Sequence, residues 1–200
     1  MNRPRVPSTA PPGKIRVIGG SLRNSKLEVR DAAGLRPTPE RVRETLFNWL
    51  APVIEGARCL DLFAGTGALG IEAVSRGARE VVLIERDAAL AQAIEGNLAR
   101  LKVGNARVVR GDAIAWLRAG PAQAFDVAFL DPPFEMGAWD EASATLAAGG
   151  WLAPNAYIYV ESPRNVAPNV PAHWALHREG HAGEVRYALY RTAPATRRPE

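Results

Sequence analysis
The 200-residue chain is 47% apolar and 23% charged with a formal net charge of +4, the profile of a globular protein able to bury one sizeable core. No apolar run nears the roughly eighteen residues of a membrane span, and no secretory-type apolar stretch follows the basic start. A lone Cys59 excludes an internal disulfide and a cysteine-cluster metal site, so no metal is expected and a reducing, cytoplasmic setting fits.

The charge is lopsided along the chain. Residues 1–50 hold ten Lys/Arg against four acids, a balance of +6, which leaves −2 for residues 51–200. Such a split suits a basic arm that neutralises phosphates beside a nearly neutral body. Residues 1–14, rich in Pro, Ser and Arg and without periodicity, are expected to be disordered. Residues 15–37 read as a small β-hairpin extension, with strands Ile15–Gly19 and Lys26–Val29 joined through Ser21-Leu22-Arg23-Asn24. A lid helix over residues 38–52 follows. Thr38 is its expected N-cap, Pro39 suits its first position, and Val42, Leu46, Phe47 and Leu50 form its apolar stripe.

From residue 57 strand and helix alternate. Strands are expected at Arg58–Phe63, Glu80–Glu85, Ala106–Arg110 and Phe125–Leu130, with helices at about 68–76, 88–102, 112–119 and 137–149. Runs such as Val81-Val82-Leu83-Ile84 belong to parallel sheets covered on both faces. A strand at Ala156–Glu161 and a hairpin of Trp174–Arg178 and Val185–Arg191, turning through Glu179–Glu184, close the series. The fold class is therefore α/β, a doubly wound, mostly parallel seven-stranded sheet with a closing antiparallel hairpin, in one domain over residues 15–192 with a loose tail at 193–200.

Two loops carry the chemistry. Asp61-Leu62-Phe63-Ala64-Gly65-Thr66-Gly67-Ala68-Leu69-Gly70 lies at the first strand-to-helix turn, with glycines at the spacing that brings backbone close to a nucleotide-like ligand. Glu85, at the end of the next strand, is placed for ribose hydroxyls and is followed by Arg86. Asp61 would repel a diphosphate and attract a sulfonium and an amine, which favours S-adenosylmethionine over a dinucleotide. Asp112-Ala113 ends the third strand, where Asp112 can meet the adenine amine, cap the following helix, or both. Candidate cofactor residues are thus Asp61, Phe63, Ala64, Gly65, Thr66, Gly67, Glu85, Arg86, Asp112 and Ala113.

The second loop, Asp131-Pro132-Pro133-Phe134, follows the fourth strand of this series. Its prolines lock φ, remove two donors and leave carbonyls unpaired. The Asp131 carboxylate and a proline-locked carbonyl can accept the two N–H bonds of a planar amine and turn its lone pair toward a methyl group, while Phe134 stacks on the ring. No strong general base is needed, and none of His173, His177 and His181, on or near the closing hairpin, is expected to be catalytic.

These loops in this order resemble class I amino-methyltransferases, and longer segments narrow the match. Ile15-Arg16-Val17-Ile18-Gly19-Gly20, Leu35-Arg36-Pro37-Thr38, Arg41-Val42-Arg43-Glu44-Thr45-Leu46-Phe47-Asn48-Trp49-Leu50, Asp131–Phe134, Tyr159-Val160-Glu161-Ser162 and Gly183–Arg191 resemble the RsmD family over about residues 14–192. The resemblance implies methylation of guanine N2 in 16S ribosomal RNA, at the family's site guanine 966. It also implies Gly65 and Gly67 around the cofactor, Glu85 on its ribose, Asp112 near its adenine and Asp131–Phe134 on the guanine. The implied partner is 16S ribosomal RNA, the small subunit or its assembly intermediate, with the protein acting as a monomer. Arg16, Arg23, Lys26, Arg36, Arg41 and Arg43 are expected to dock phosphates around an unpaired or flipped base, although Arg41 and Arg43 can instead pair with Glu40 and Glu44. Rival readings are an adenine-N6 DNA methyltransferase, a nicotinamide-dependent dehydrogenase, and a non-catalytic RNA-binding or ribosome-assembly factor.

Overall fold
A computed structural model describes residues 13–30, 37–120 and 123–193. The expectations for residues 1–12, for Arg36 and for residues 194–200 lie outside the described residues. Strands β1 (Gly13–Arg16) and β2 (Lys26–Val29) pair antiparallel, with Arg16 opposite Lys26. β1 begins inside the segment expected to be disordered and ends earlier than Gly19. The reason is where the next backbone donors go: Ile18 and Gly19 give their N–H groups to the Glu72 carboxylate, at 2.8 and 2.9 Å, instead of continuing the ladder.

Helix α1 (Glu40–Leu50) buries Val42, Leu46, Phe47 and Leu50, the stripe expected from spacing. Its cap differs from the expectation. Pro39 occupies the N-cap position, and the Thr38 hydroxyl turns instead toward Asp131.

The main body alternates β3 (Arg58–Asp61), α2 (Ala68–Ser75), β4 (Glu80–Glu85), α3 (Ala88–Arg100), β5 (Ala106–Arg110), α4 (Ala113–Arg118), β6 (Phe125–Leu130), α5 (Trp139–Ala148) and β7 (Leu152–Pro163). It closes with β8 (Trp174–Ala182) and β9 (Val185–Thr192). The seven strands lie in the order β5-β4-β3-β6-β7-β9-β8, parallel from β5 to β7, with β9 antiparallel to both of its neighbours. Alternate residues of each strand face opposite layers. Cys59, Val81, Leu83, Val127, Phe129 and Tyr159 pack with α1, α2 and α3, whereas Leu60, Val82, Ile84, Ala128, Leu130, Ile158 and Val160 pack with α4 and α5. Double coverage explains why these strands are apolar without interruption.

The closing turn is tighter than expected. β8 continues through Glu179–Ala182, and only Gly183-Glu184 turn, with Gly183 at φ +57°. Gly180 remains in the strand because the Tyr187 ring lies across it; a Cβ there would stand 2.4 Å from a ring atom. Among the described residues no helix is long and apolar enough to cross a membrane, and no group of three or more His, Cys, Asp or Glu could hold a metal ion.

Winding runs outward from β3 toward β5 on one side and from β6 toward β8 on the other. The crevice between β3 and β6, at the carboxyl ends of the strands, is the topological switch point where such sheets bind ligands.

Candidate active site
β3 delivers Asp61 to this crevice, and the chain then turns through Gly65 (φ +52°) and Gly67 (φ +75°) into α2. Both glycines hold a left-handed conformation that a side chain would strain. Gly70 packs helix against strand so closely that a Cβ would stand 2.6 Å from Leu83, and its N–H donates to Asp61 Oδ2 at 3.0 Å. Glu85, at the end of β4, accepts the Gly65 N–H at 2.7 Å and the Asp87 N–H at 2.8 Å. One carboxylate thereby fixes both the glycine loop and the start of α3, which Asp87 caps through the N–H groups of Ala89 and Leu90. Ala64 and Thr66 are buried, Phe63 and Gly65 half-buried, and Arg86 is exposed. Asp112 caps α4 by accepting from Ala115 N–H at 2.9 Å, yet remains exposed at the crevice rim, with Ala113 buried behind it. The loop residues, Glu85 and Asp112 therefore converge at the ends of three adjacent strands.

Asp131 lies one residue past β6. The parallel register pairs Leu130 with Val160, so Asp131 stands level with Glu161 of β7. Pro132 is buried, Pro133 exposed, and half-buried Phe134 opens a 3-10 turn (Phe134–Met136) with its ring 6.0 Å from that of Trp139. One expectation needs correcting. The Pro133 carbonyl is not free, because the Met136 N–H donates to it at 2.9 Å. The hydrogen bonds of the described residues leave the Pro132 carbonyl without a donor, so it is the free acceptor beside Asp131.

Sequence reasoning missed the hydrogen bonds that surround Asp131 and its strand neighbour Glu161. The Thr38 hydroxyl lies 3.4 Å from Asp131 Oδ2, the Tyr159 hydroxyl donates to Glu161 Oε2 at 2.7 Å, and the Glu161 carbonyl accepts from Trp139 Nε1 at 2.7 Å. A signal was available: Glu161 is an acid directly after the buried run Ile158-Tyr159-Val160, and such a group is retained only with partners.

Asp61, Glu85, Asp131 and Glu161 thus line the carboxyl edge of four central strands, and none of them takes part in an ion pair among the described residues. Burial pushes the Asp61 carboxyl up to about 7, with Glu85 adding to it. Asp131 is raised well above the ordinary carboxylate range by burial and then by the nearby Glu161 and Asp61; Glu161 is raised by burial against the opposing Tyr159 hydrogen bond. An uncompensated acidic crevice of this kind fits a ligand carrying positive charge, and a sulfonium nucleoside with a free amine meets that requirement.

Of the residues expected to dock phosphates, Arg23, Lys26 and Arg41 are exposed. Arg16 is half-exposed and engaged with Glu40. Arg43 is a correction: only 2% exposed, it donates to the carbonyls of Thr38 and Arg16 and faces Glu72 at 3.6 Å, not Glu40 or Glu44. A guanidinium so enclosed cannot reach a phosphate. Its partner Glu72, fully buried on α2, also accepts Arg76 Nε at 3.0 Å. Ser75 adds hydrogen bonds to Gly19, Ser21 and Leu22, so α2 holds the N-terminal hairpin as well as the glycine loop. His177 and His181 lie on β8 at the far edge of the sheet, with His173 just before it.

Residues 15–191 match the family model described as "Conserved hypothetical protein 95". The chain is 54% identical over 187 residues to "Ribosomal RNA small subunit methyltransferase D" of Escherichia coli strain K12, covering 93% of this chain and 94% of the relative. The Haemophilus influenzae protein of the same name is 44% identical over 181 residues, covering 89% and 94%. The solved structure of yhhF from Escherichia coli superposes with a TM-score of 0.84 at 53% identity, covering 90% of this chain and 99% of that one. A glycine loop and an acid-Pro-Pro-aromatic loop on neighbouring strands, in a sheet of this order, agree with those likenesses: the chain belongs to the RsmD family of class I methyltransferases.

Proposed function
We propose that this chain transfers a methyl group from S-adenosylmethionine to the exocyclic N2 amine of one guanine in 16S ribosomal RNA, at the family's site guanine 966, acting as a monomer in the cytoplasm. The observation that carries the reading is the adjacency of β3 and β6, which sets an acidic, glycine-walled crevice beside the Asp131–Phe134 loop. The names of the relatives support ribosomal RNA of the small subunit as substrate.

S-adenosylmethionine supplies an electrophilic methyl group on a sulfonium. Glu85, while holding the Gly65 and Asp87 N–H groups, keeps lone pairs for the ribose hydroxyls; Asp61 faces the positive charge; Asp112 accepts from the adenine amine. Phe63, Ala64, Thr66, Arg86 and Ala113 complete the wall and rim of that cleft. Across the crevice, Asp131 and the Pro132 carbonyl accept the two hydrogens of the guanine amine and Phe134 stacks on the base, while Pro133 stiffens the loop. Orientation and electrostatics then supply most of the rate. Arg23, Lys26 and Arg41, with Arg16 shared between Glu40 and the RNA, neutralise phosphates around the flipped base.

An adenine-N6 DNA methyltransferase would use the same grip, so the test separates nucleic acids. Purified protein is incubated with tritiated cofactor and either small subunits from cells lacking this chain or plasmid DNA. The expected result is label in the RNA, recovered as N2-methylguanosine after digestion; label in DNA as N6-methyladenine would overturn the reading.

A further inference from the structure
Two segments far apart in sequence meet at Asp131. Thr38 arrives from the segment before α1 and Glu161 from β7, held in turn by Tyr159 from its own strand. We propose that Glu161, clasped by Tyr159 and level with Asp131 across the β6–β7 register, is a positioning residue that fits Asp131 to take the proton released when a base amine is methylated. The inference rests on the methyltransferase reading above and deepens it.

The released proton needs somewhere to go. Once the amine nitrogen has given its lone pair to the incoming methyl carbon it carries a positive charge, and one of its N–H bonds must break. The electron pair of that bond stays on nitrogen, and the proton forms an O–H bond at the nearest carboxylate oxygen, which is on Asp131. A second carboxylate alongside makes the first one hold protons more tightly, because both cannot comfortably be ionised in the same enclosed space.

The geometry decides which of the two ionises first. Glu161 has the Tyr159 hydroxyl at 2.7 Å and is also favoured in its ionised form by Thr38; Asp131 has only the longer 3.4 Å contact. Glu161 therefore ionises first, and Asp131, ionising beside that charge, takes a proton back readily. A hydroxyl can reverse. Thr38 donates to Asp131 when that group is ionised and can accept from it when it is protonated. The other groups around Asp131 reinforce the effect: Asp61 from β3 is an acid, and Tyr187 from β9 adds no positive charge beside Tyr159. Arg43 of α1 bonds the Thr38 carbonyl at 3.3 Å and faces Glu72.

The test is a carbon-13 carboxyl NMR titration of the whole protein without ligand, for wild type, Glu161→Gln and Tyr159→Phe, beside pH–rate profiles of transfer to small subunits. In Glu161→Gln the Asp131 midpoint should fall by about one pH unit or more, and the acid limb of kcat should move the same way with KM changed less than about threefold. Tyr159→Phe, which removes one hydroxyl and serves if Glu161→Gln does not fold, should move both in the same direction by less. A folded variant of either kind with the Asp131 midpoint unmoved would overturn the proposal. Absence of transfer by the wild type at every pH would sink the proposed function instead, and the titration would still decide whether the two carboxyls share a proton.

Discussion
The two halves of the crevice are built from different materials. On the β3–β4 side, backbone N–H groups of Gly70, Gly65 and Asp87 hold the carboxylates, and every partner lies within about one βαβ unit of sequence. On the β6–β7 side, carboxyls are held by side-chain hydroxyls: Tyr159 from two residues away on Glu161, and Thr38 from 93 residues away on Asp131. Backbone donors cannot be replaced or retuned singly, so the first half is a fixed mould. Hydroxyls and neighbouring acids adjust proton affinity residue by residue, so the second half is where reactivity can be set.

That contrast can be broken or sharpened in four ways. The largest effect is expected for Asp131→Ala: methyl transfer should fall about 10³-fold while cofactor affinity by equilibrium dialysis stays within about threefold. Equal losses in both would mean the halves are not separate. Next, Glu85→Ala should weaken cofactor binding about ten- to a hundredfold and lower the melting temperature of the ligand-free protein, because the Gly65 and Asp87 N–H groups lose their acceptor.

Asp61 gives a pH signature. Its carboxyl is raised to about 7, above the unfolded value, so the stability it permits is complete below pH 4 and is lost as pH rises through about 7. A cationic ligand needs the ionised form, so cofactor affinity should rise about tenfold between pH 6 and pH 8, and Asp61→Asn should flatten both dependences, read by dialysis and by thermal melts. The smallest effect belongs to the rim. Arg23→Ala with Lys26→Ala should lower affinity for the small subunit a few-fold and reduce the salt slope by about two, with the rate at saturation unchanged; an unaltered slope would remove the hairpin from the RNA footprint.

How much of this was legible depended on how local each feature is. The limits of β4, β5 and β6 agree with the sequence expectation residue for residue; for β4 and β6 the reason is that short apolar runs in a doubly covered sheet leave little freedom. The glycine loop and Asp131 were found because each motif lies within ten residues. Thr38 looked like a helix cap because caps are what hydroxyls before helices usually are; its bond to Asp131 depends on a contact across the fold. Arg43 looked like a surface charge because its neighbours in sequence are charged, and only the docking of α1 over α2 shows that it is enclosed with Glu72. Glu161 was visible as part of a resembling segment, yet its role needed the β6–β7 register.

Cys59 sits at the centre of β3, fully buried, with burial pushing its thiol far up. Thiol reagents need an accessible thiolate, so the native chain should be silent toward maleimides. A single surface substitution such as Asn24→Cys, at the exposed tip of the hairpin, would therefore carry the one reactive sulfur without any prior removal of cysteine. A fluorophore there would report whether a small ribosomal subunit approaches from the outer rim of the molecule.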